Sequence, residues 1–243
     1  MLKCSGEQAR VNVTCQDIGL IIAIDGPAGS GKSTVARELA RRLGLKYIDT
    51  GAMYRALTLK AMRRGVNLED EDALCRLFNE TAIDLAPSDD SLRTLLDGED
   101  VSKGIRAPEV TRNTFYAARS PKVRALMVAA QQRMGAKGGV VTEGRDATTV
   151  IFPNATKKIY LDARIAVRAR RRLADLADRQ PPPKLEQVEA EMRERDQRDL
   201  PRTVGPLRRA PDALYLDTSE LNIEQTVERI LEFVRGRSGE GAP

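Results

Sequence analysis

The 243-residue chain has no histidine and no tryptophan, and only 4% of it is aromatic. Its three cysteines, Cys4, Cys15 and Cys75, are far apart and odd in number. Without histidine or a CxxC pair, a zinc enzyme, a histidine-based triad and a thioredoxin-like centre are excluded. Nothing in the cysteine usage calls for an oxidising compartment. Long apolar runs are missing too. The longest, Ile18 to Ile24, is too short to span a bilayer and includes Gly19. The N-terminus lacks the basic-then-apolar pattern of a secretory signal. The expectation is a soluble cytoplasmic protein with no membrane partner. The Asn-x-Thr triplets at Asn12, Asn79 and Asn154 are then chance matches.

Arginine, by contrast, is abundant. The 40 basic residues divide into 30 Arg and 10 Lys, and 35 acidic residues leave a net charge of +5. Codon bias accounts for part of this, but Arg forks also bind phosphate and carboxylate bidentately. A basic chain leaves a nucleic-acid binder open. Such proteins usually carry aromatic stacking platforms, which are scarce here. The length suits one domain, with room for insertions and a full core.

Residues 1–19 show no period and read as a disordered extension. Leu20 to Asp25 is an Ile-rich run that fits a strand buried on both faces. A glycine-rich turn follows, then a helix with Val35, Leu39 and Leu43 on one face, stopped by Gly44. Lys46–Asp49 reads as a second strand, and a helix runs from Thr50 to about Arg64. From about 70 to 118 the pattern changes. A short helix near Asp72–Asn79 precedes Ile83–Ala86 and Leu92–Val101, which alternate around an Asp97-Gly98 turn and suggest a small antiparallel sheet. Ser120-Pro121 opens a helix to about Met134. Strands are expected at Gly139–Glu143, Lys158–Asp162 and Ala213–Asp217. An Arg-rich helix covers roughly 164–178, with Gln180-Pro-Pro-Pro183 after it. The last helix starts with a capping box at Asn222 and Gln225. Five apolar strands alternating with amphipathic helices predict an α/β fold, a parallel sheet covered on both faces.

The strongest motif is Gly26-Pro-Ala28-Gly29-Ser30-Gly31-Lys32-Ser33-Thr34, which matches G-x-x-x-x-G-K-[ST]. Its backbone N–H groups would wrap a phosphate at a helix N-terminus. Lys32 would bridge the β- and γ-phosphates of a nucleoside triphosphate, and the Ser33 hydroxyl would hold Mg²⁺. A chance glycine turn would not need a strand before it and a helix after it, and both are expected here. Lys-Ser-Thr stands where a dinucleotide fingerprint needs its third glycine. A GTPase would need Asn-Lys-x-Asp, and no such tetrapeptide is present. A kinase of nucleotides or other small molecules remains.

Arg164, Arg168, Arg171 and Arg172 fall at helical spacing and would share one face, solvated or facing something anionic. Arg195 and Asp199 are spaced i, i+4 on the next helix. Two clusters, Asp49-Thr50 to Arg55 and Glu143-Gly-Arg145-Asp146, sit at carboxyl ends of strands, where α/β folds bind ligands. Asp49 or Glu143 could hold Mg²⁺ through water, and a lone Asp there could equally cap a helix.

From Ile21 to about Arg235 the residues resemble the bacterial cytidylate kinase family. The resemblance is carried by GPAGSGKST, DTGAMYR, GEDVS with IR, SPKVR, EGRD with FPNA, ERDQRD and APDALYLDTS. It implies a P-loop nucleoside monophosphate (NMP) kinase fold, a five-stranded parallel sheet flanked by helices. The core would cover 20–76 and 119–235, with an α+β NMP-binding insertion at 77–118, a short lid at 166–184 and a tail at 236–243. It further implies transfer of the ATP γ-phosphoryl group to CMP or dCMP with Mg²⁺, in pyrimidine nucleotide metabolism, by a monomer that binds no nucleic acid. By motif, Arg124 and Asp146 would read the cytosine edge with Thr50 nearby. Arg55, Arg145 and Arg202 would hold the acceptor phosphate. Arg195 and Asp199 would contact the sugar, and Arg168, Arg171 and Arg172 the transferring phosphoryl group. Phe115 stands where the family often has Ser. Ala147-Thr148 stands where an apolar residue and Gly usually follow the Asp.

Overall fold

The computed structural model describes residues 19–87, 92–177, 181–199 and 204–236. The extension expected over 1–19 therefore lies outside the described residues apart from Gly19, and so does the tail beyond 236. Arg202 and residues 178–180 of the expected lid also lie outside them.

The elements in chain order are β1 (Ile21–Asp25), α1 (Lys32–Leu43), β2 (Lys46–Asp49), α2 (Thr50–Arg63) and α3 (Glu71–Asn79). Three short strands follow: β3 (Ile83–Pro87), β4 (Leu92–Leu96) and β5 (Glu99–Asp100). The rest are α4 (Pro108–Arg119), α5 (Pro121–Gly135), β6 (Val140–Gly144), β7 (Lys157–Asp162), α6 (Ile165–Ala174), α7 (Leu185–Asp199), β8 (Leu214–Asp217) and α8 (Ile223–Val234). The main sheet has five strands in the order β2-β6-β1-β7-β8, all parallel. The second sheet, β3-β4-β5, is antiparallel. The expected α/β architecture and the expected small sheet are both present.

Period-two alternation in β1 explains the two-layer burial. Ile22 and Ile24 face α1 and α8, joining Leu39, Val227 and Ile230 in one cluster. Ala23 faces the other way, against Ala147, Ile151 and Phe152. With helices on both faces, a parallel strand can be apolar throughout. Each fully buried Ile contributes about 1.5–3 kcal/mol relative to exposure. A larger cluster joins Ile48, Met53 and Leu57 to Leu85, Leu96, Val101 and Ile105, so the small sheet packs on α2.

The caps agree with the residue types. Ser120 accepts from Val123 N in front of α5, and Asn222 and Gln225 form the capping box of α8. Two elements depart from expectation. Helix α4 was not foreseen; Pro108 occupies its first turn and Val110, Ala117 and Ala118 are buried. The Arg-rich helix starts at Ile165 and ends at Ala174 rather than spanning 164–178. A single π-helical turn, Ala147–Ile151, follows β6. Among the described residues, no helix is long and apolar enough to cross a membrane.

Candidate active site

The site forms where β1, β2 and β6 end. Register places Asp25 beside Gly144 and Asp49 beside Glu143. The loop from Gly26 leads from the central strand straight into α1. Gly31 caps α1 at φ 92° with no side-chain cap bond. That left-handed conformation suits glycine, and the helix N-terminus is left without a capping side chain. Such a terminus attracts phosphate. Ser30 is buried with its hydroxyl on Pro27 O at 3.1 Å, while Thr34 is exposed in the first turn of α1.

Lys32 folds back over this loop, donating to Pro27 O at 2.7 Å and to Ser30 Oγ at 3.5 Å. Burial lowers its pKa to about 7, and the nearby Arg145 and Arg195 charges push the same way against Glu143. A phosphate beside it would restore the ammonium.

Ser33 Oγ donates to Glu143 Oε1 at 2.7 Å, bringing two of the three expected Mg²⁺-site residues into contact. Tyr47 Oη donates to the same oxygen at 3.3 Å. Burial, with the charges of Asp49 and Glu143, raises the Tyr47 pKa and keeps the phenol a donor. Tyr47 was not singled out in the sequence. Thr50 Oγ1 donates to the Glu143 carbonyl at 2.7 Å, so its hydroxyl serves the β6 end. Asp49 caps α2 by accepting from Ala52 N at 2.7 Å and pairs with Arg55 at 3.3 Å. Capping, the plainer of the two roles weighed for Asp49, is present.

Arg124 and Asp146 form a buried ion pair. The Arg124 guanidinium also lies 5.8 Å from the Tyr54 ring centre, and Nη1 reaches Ala118 O at 3.5 Å. Gly205, at φ 61°, presses on this pair; a Cβ there would collide with Arg124 Nη2 and Asp146 Oδ2. Only a lone glycine far along the chain signals this contact, and it was missed. Asp25 was missed as well. It is fully buried and accepts from Ala147 N and Thr148 N, each at 2.8 Å, and from Thr148 Oγ1 at 2.5 Å. Burial raises its pKa to about 6 despite those three donors.

Arg145 Nε donates to Asp199 Oδ2 at 2.8 Å. Asp199 thus pairs with Arg145, 54 positions away in the chain, and its charge also favours the Arg195 cation. Arg195 keeps solvent access, yet protein atoms crowd around it. Enclosure by protein, then the Arg145 charge, lowers its pKa to about 10. Phe115 lies 5.1 Å from the Arg119 guanidinium and 5.6 Å from that of Arg198, bridging α4 and α7.

The arginines of α6 do not form one bare cationic face. Arg164 precedes the helix and pairs with Glu220. Arg168 reaches Ala28 O at 3.1 Å and Asp196 at 2.7 Å. Arg171 donates to Thr218 O at 2.6 Å and Thr218 Oγ1 at 3.0 Å. Thr218, also missed, donates in turn to Ser30 O at 3.3 Å. Arg172 lies 3.9 Å from Asp175 at the helix end. Mutual repulsion is relieved by the chain's own carboxylates and carbonyls, and Arg168 and Arg171 are tied to the glycine-rich loop.

Comparison with known proteins gives concordant matches. The profile of the cytidylate kinase family matches residues 22–236. The cytidylate kinase of Geobacillus kaustophilus (strain HTA426) is 48% identical over 218 residues, covering 90% of this chain and 97% of that protein. The cytidylate kinase of Solibacter usitatus (strain Ellin6076) is 47% identical over 224 residues, covering 91% and 95%. Among solved structures, the shikimate kinase of Bacteroides thetaiotaomicron is similar with a TM-score of 0.47 and 16% identity, over 89% of this chain and 98% of that one.

Proposed function

The chain belongs to the cytidylate kinase family, and from that premise we propose how its site moves a phosphoryl group. The protein phosphorylates CMP or dCMP, with ATP as co-substrate. The glycine-rich loop, Gly26 to Gly31, and the open end of α1 hold the ATP phosphates through Ala28, Gly29, Ser30 and neighbouring backbone N–H groups. Lys32 leaves Pro27 O and takes up the β- and γ-phosphates, with Ser33 and Thr34 beginning the helix beneath them.

The Ser33 hydroxyl and the Glu143 carboxylate, 2.7 Å apart, are hard oxygen donors of the type Mg²⁺ takes alongside water and phosphate. Asp49 stands one strand away and would act through water. The ion, when bound, neutralises charge on the ATP phosphates.

Arg124 and Asp146 read the base. The Asp146 carboxylate accepts from the cytosine amino group, and Arg124 donates to ring N3 and O2. A uracil presents a carbonyl oxygen instead of the amino group, which a carboxylate repels. Arg55 and Arg145, together with Arg202, hold the acceptor phosphate. Arg195 and Asp199 meet the sugar hydroxyls, and Thr50 assists near the base. Arg168, Arg171 and Arg172 stabilise charge on the transferring group, a role worth about 10³–10⁵ in rate. The acceptor phosphate is already a nucleophile near neutral pH, so a chain without histidine loses nothing. Closure of 166–184 over the loop excludes water that would otherwise hydrolyse ATP. We place the reaction in the cytoplasm and in a monomer.

The observation that supports this reading best is the buried Arg124–Asp146 pair, just past the end of the strand beside the one that leads into the phosphate loop. An ADP-release assay across CMP, dCMP, UMP, AMP, small acids and sugars tests it. CMP and dCMP are expected to turn over fastest. Strong activity with a non-nucleotide alone would overturn it.

A further inference from the structure

Asp146 sits in front of a helical turn, Ala147–Ile151, yet its side chain caps nothing there. Its carbonyl accepts from Val150 N at 2.9 Å and Ile151 N at 3.1 Å, so its backbone is committed to the turn. An Asp in that place ordinarily turns its carboxylate onto the first N–H groups of the helix. Of these, the N–H of Thr148, the second residue of the turn, is taken by Asp25, which also takes the N–H of Ala147, 122 positions further along the chain, while the Thr149 N–H lies 3.4 Å from the Asp146 carbonyl. Asp25 Oδ2 receives the Thr148 hydroxyl as well.

One carboxylate thus holds the turn that the neighbouring one does not cap. Asp25 ends β1, beside Gly144 in register, and has no access to solvent. A buried carboxylate with three donors is held in one orientation, and it holds the two residues after Asp146 in turn. The Asp146 side chain is left to meet Arg124. Ionised Asp25 also disfavours a swing of the Asp146 carboxylate back onto the turn.

We propose that Asp25 and Thr148 are positioning residues for Asp146: Asp25 takes over the capping of the turn, the Thr148 hydroxyl locks Asp25 in that role, and base selection at Asp146 depends on both. Thr148 is thereby a specificity-determining residue that never touches substrate. The inference rests on the reading of Asp146 as the base-selecting carboxylate.

Thr148→Val keeps the branched shape and removes the hydroxyl; Thr148→Ser restores it. Steady-state kinetics with CMP, UMP and ATP are measured on both, beside Asp146→Asn and thermal melting. For Thr148→Val, the KM for CMP rises about tenfold and the preference for CMP over UMP falls about tenfold, the loss expected of one hydrogen bond to a charged group. The KM for ATP stays within about twofold, because the glycine-rich loop is held by other contacts. Thr148→Ser returns both CMP values to those of the parent. Should Thr148→Val melt below the assay temperature, Thr148→Ala carries the same expectations.

An unchanged KM for CMP in a folded variant overturns the proposal. So does an ATP KM that rises in step with that for CMP, or a Ser variant that fails to recover. If Asp146→Asn shifts base preference while Thr148→Val does not, the positioning role alone falls. If Asp146→Asn also leaves base preference unchanged, the base-reading assignment falls and takes this inference with it.

Discussion

Ser33 and Glu143, 110 positions apart in the chain, share a hydrogen bond of 2.7 Å. One residue opens α1 and the other sits on β6, and only the pairing of β6 with β1 brings them together. The same carboxylate oxygen also accepts from Tyr47 at 3.3 Å. Glu143→Gln keeps an oxygen for both donors and removes the charge. The Mg²⁺ concentration for half-maximal rate should rise about 10- to 100-fold, with the melting temperature little changed. An unaltered Mg²⁺ requirement would show that Glu143 does not serve the ion.

Lys32 is protonated in the free enzyme only below about pH 7, because burial opposes its charge. Bound phosphates favour the ammonium. The ratio kcat/KM for ATP, which reports the free enzyme, should therefore fall as pH rises through 7, while kcat stays flat there. Lys32→Met should lower kcat by about 10²–10³. A pH-independent kcat/KM for ATP between pH 6 and 8 would contradict this account.

Removing one member of the Arg124–Asp146 pair strands a buried charge. Asp146→Ala should lower folding stability by about 3–5 kcal/mol, read from urea unfolding. The double variant Arg124→Met with Asp146→Leu should recover most of that loss, since no buried charge is left unpaired. Additive losses would mean that the pair is solvated.

Asp25 titrates higher in the folded chain, about 6, than the ordinary 3.8 of an unfolded Asp. Between those values the folded state binds more protons at Asp25, so its contribution to stability is fully present below pH 4 and is lost as pH rises through 6. The loss is on the order of 3 kcal/mol. Measured as the difference between the parent and Asp25→Asn, stability should decline across that window. A flat difference would place the Asp25 pKa near its ordinary value.

The phosphate loop was legible because its signal is local: glycines, a lysine and a hydroxyl between an apolar run and a helical stripe. The five parallel strands were legible for the same reason, most being short Ile-, Val- or Leu-rich runs, with β2, Lys46-Tyr-Ile-Asp49, the least apolar. Helix α4 was not, since Thr111 to Thr114 interrupts its apolar face and only Val110, Ala117 and Ala118 are fully buried. The residues missed at the site share one property. Asp25, Tyr47, Gly205 and Thr218 act through partners distant in the chain, and nothing in their own neighbourhood announces it. Arg164 was misplaced for the converse reason: helical spacing put it on a face, but the helix begins one residue later.

The strand order carries a consequence for how the chain is made. β1 and β2, made one after the other, are not neighbours; β6 lies between them and pairs with both. At translation speeds of about 5–20 residues per second, the run Ile21–Ile24 leaves the ribosome some ten seconds before Val140 does. Through that interval the strand that ends at the phosphate loop has neither sheet partner, since β7 is later still. The candidate site is therefore synthesised early and completed late, and its most apolar strand is the segment a nascent-chain chaperone would find uncovered.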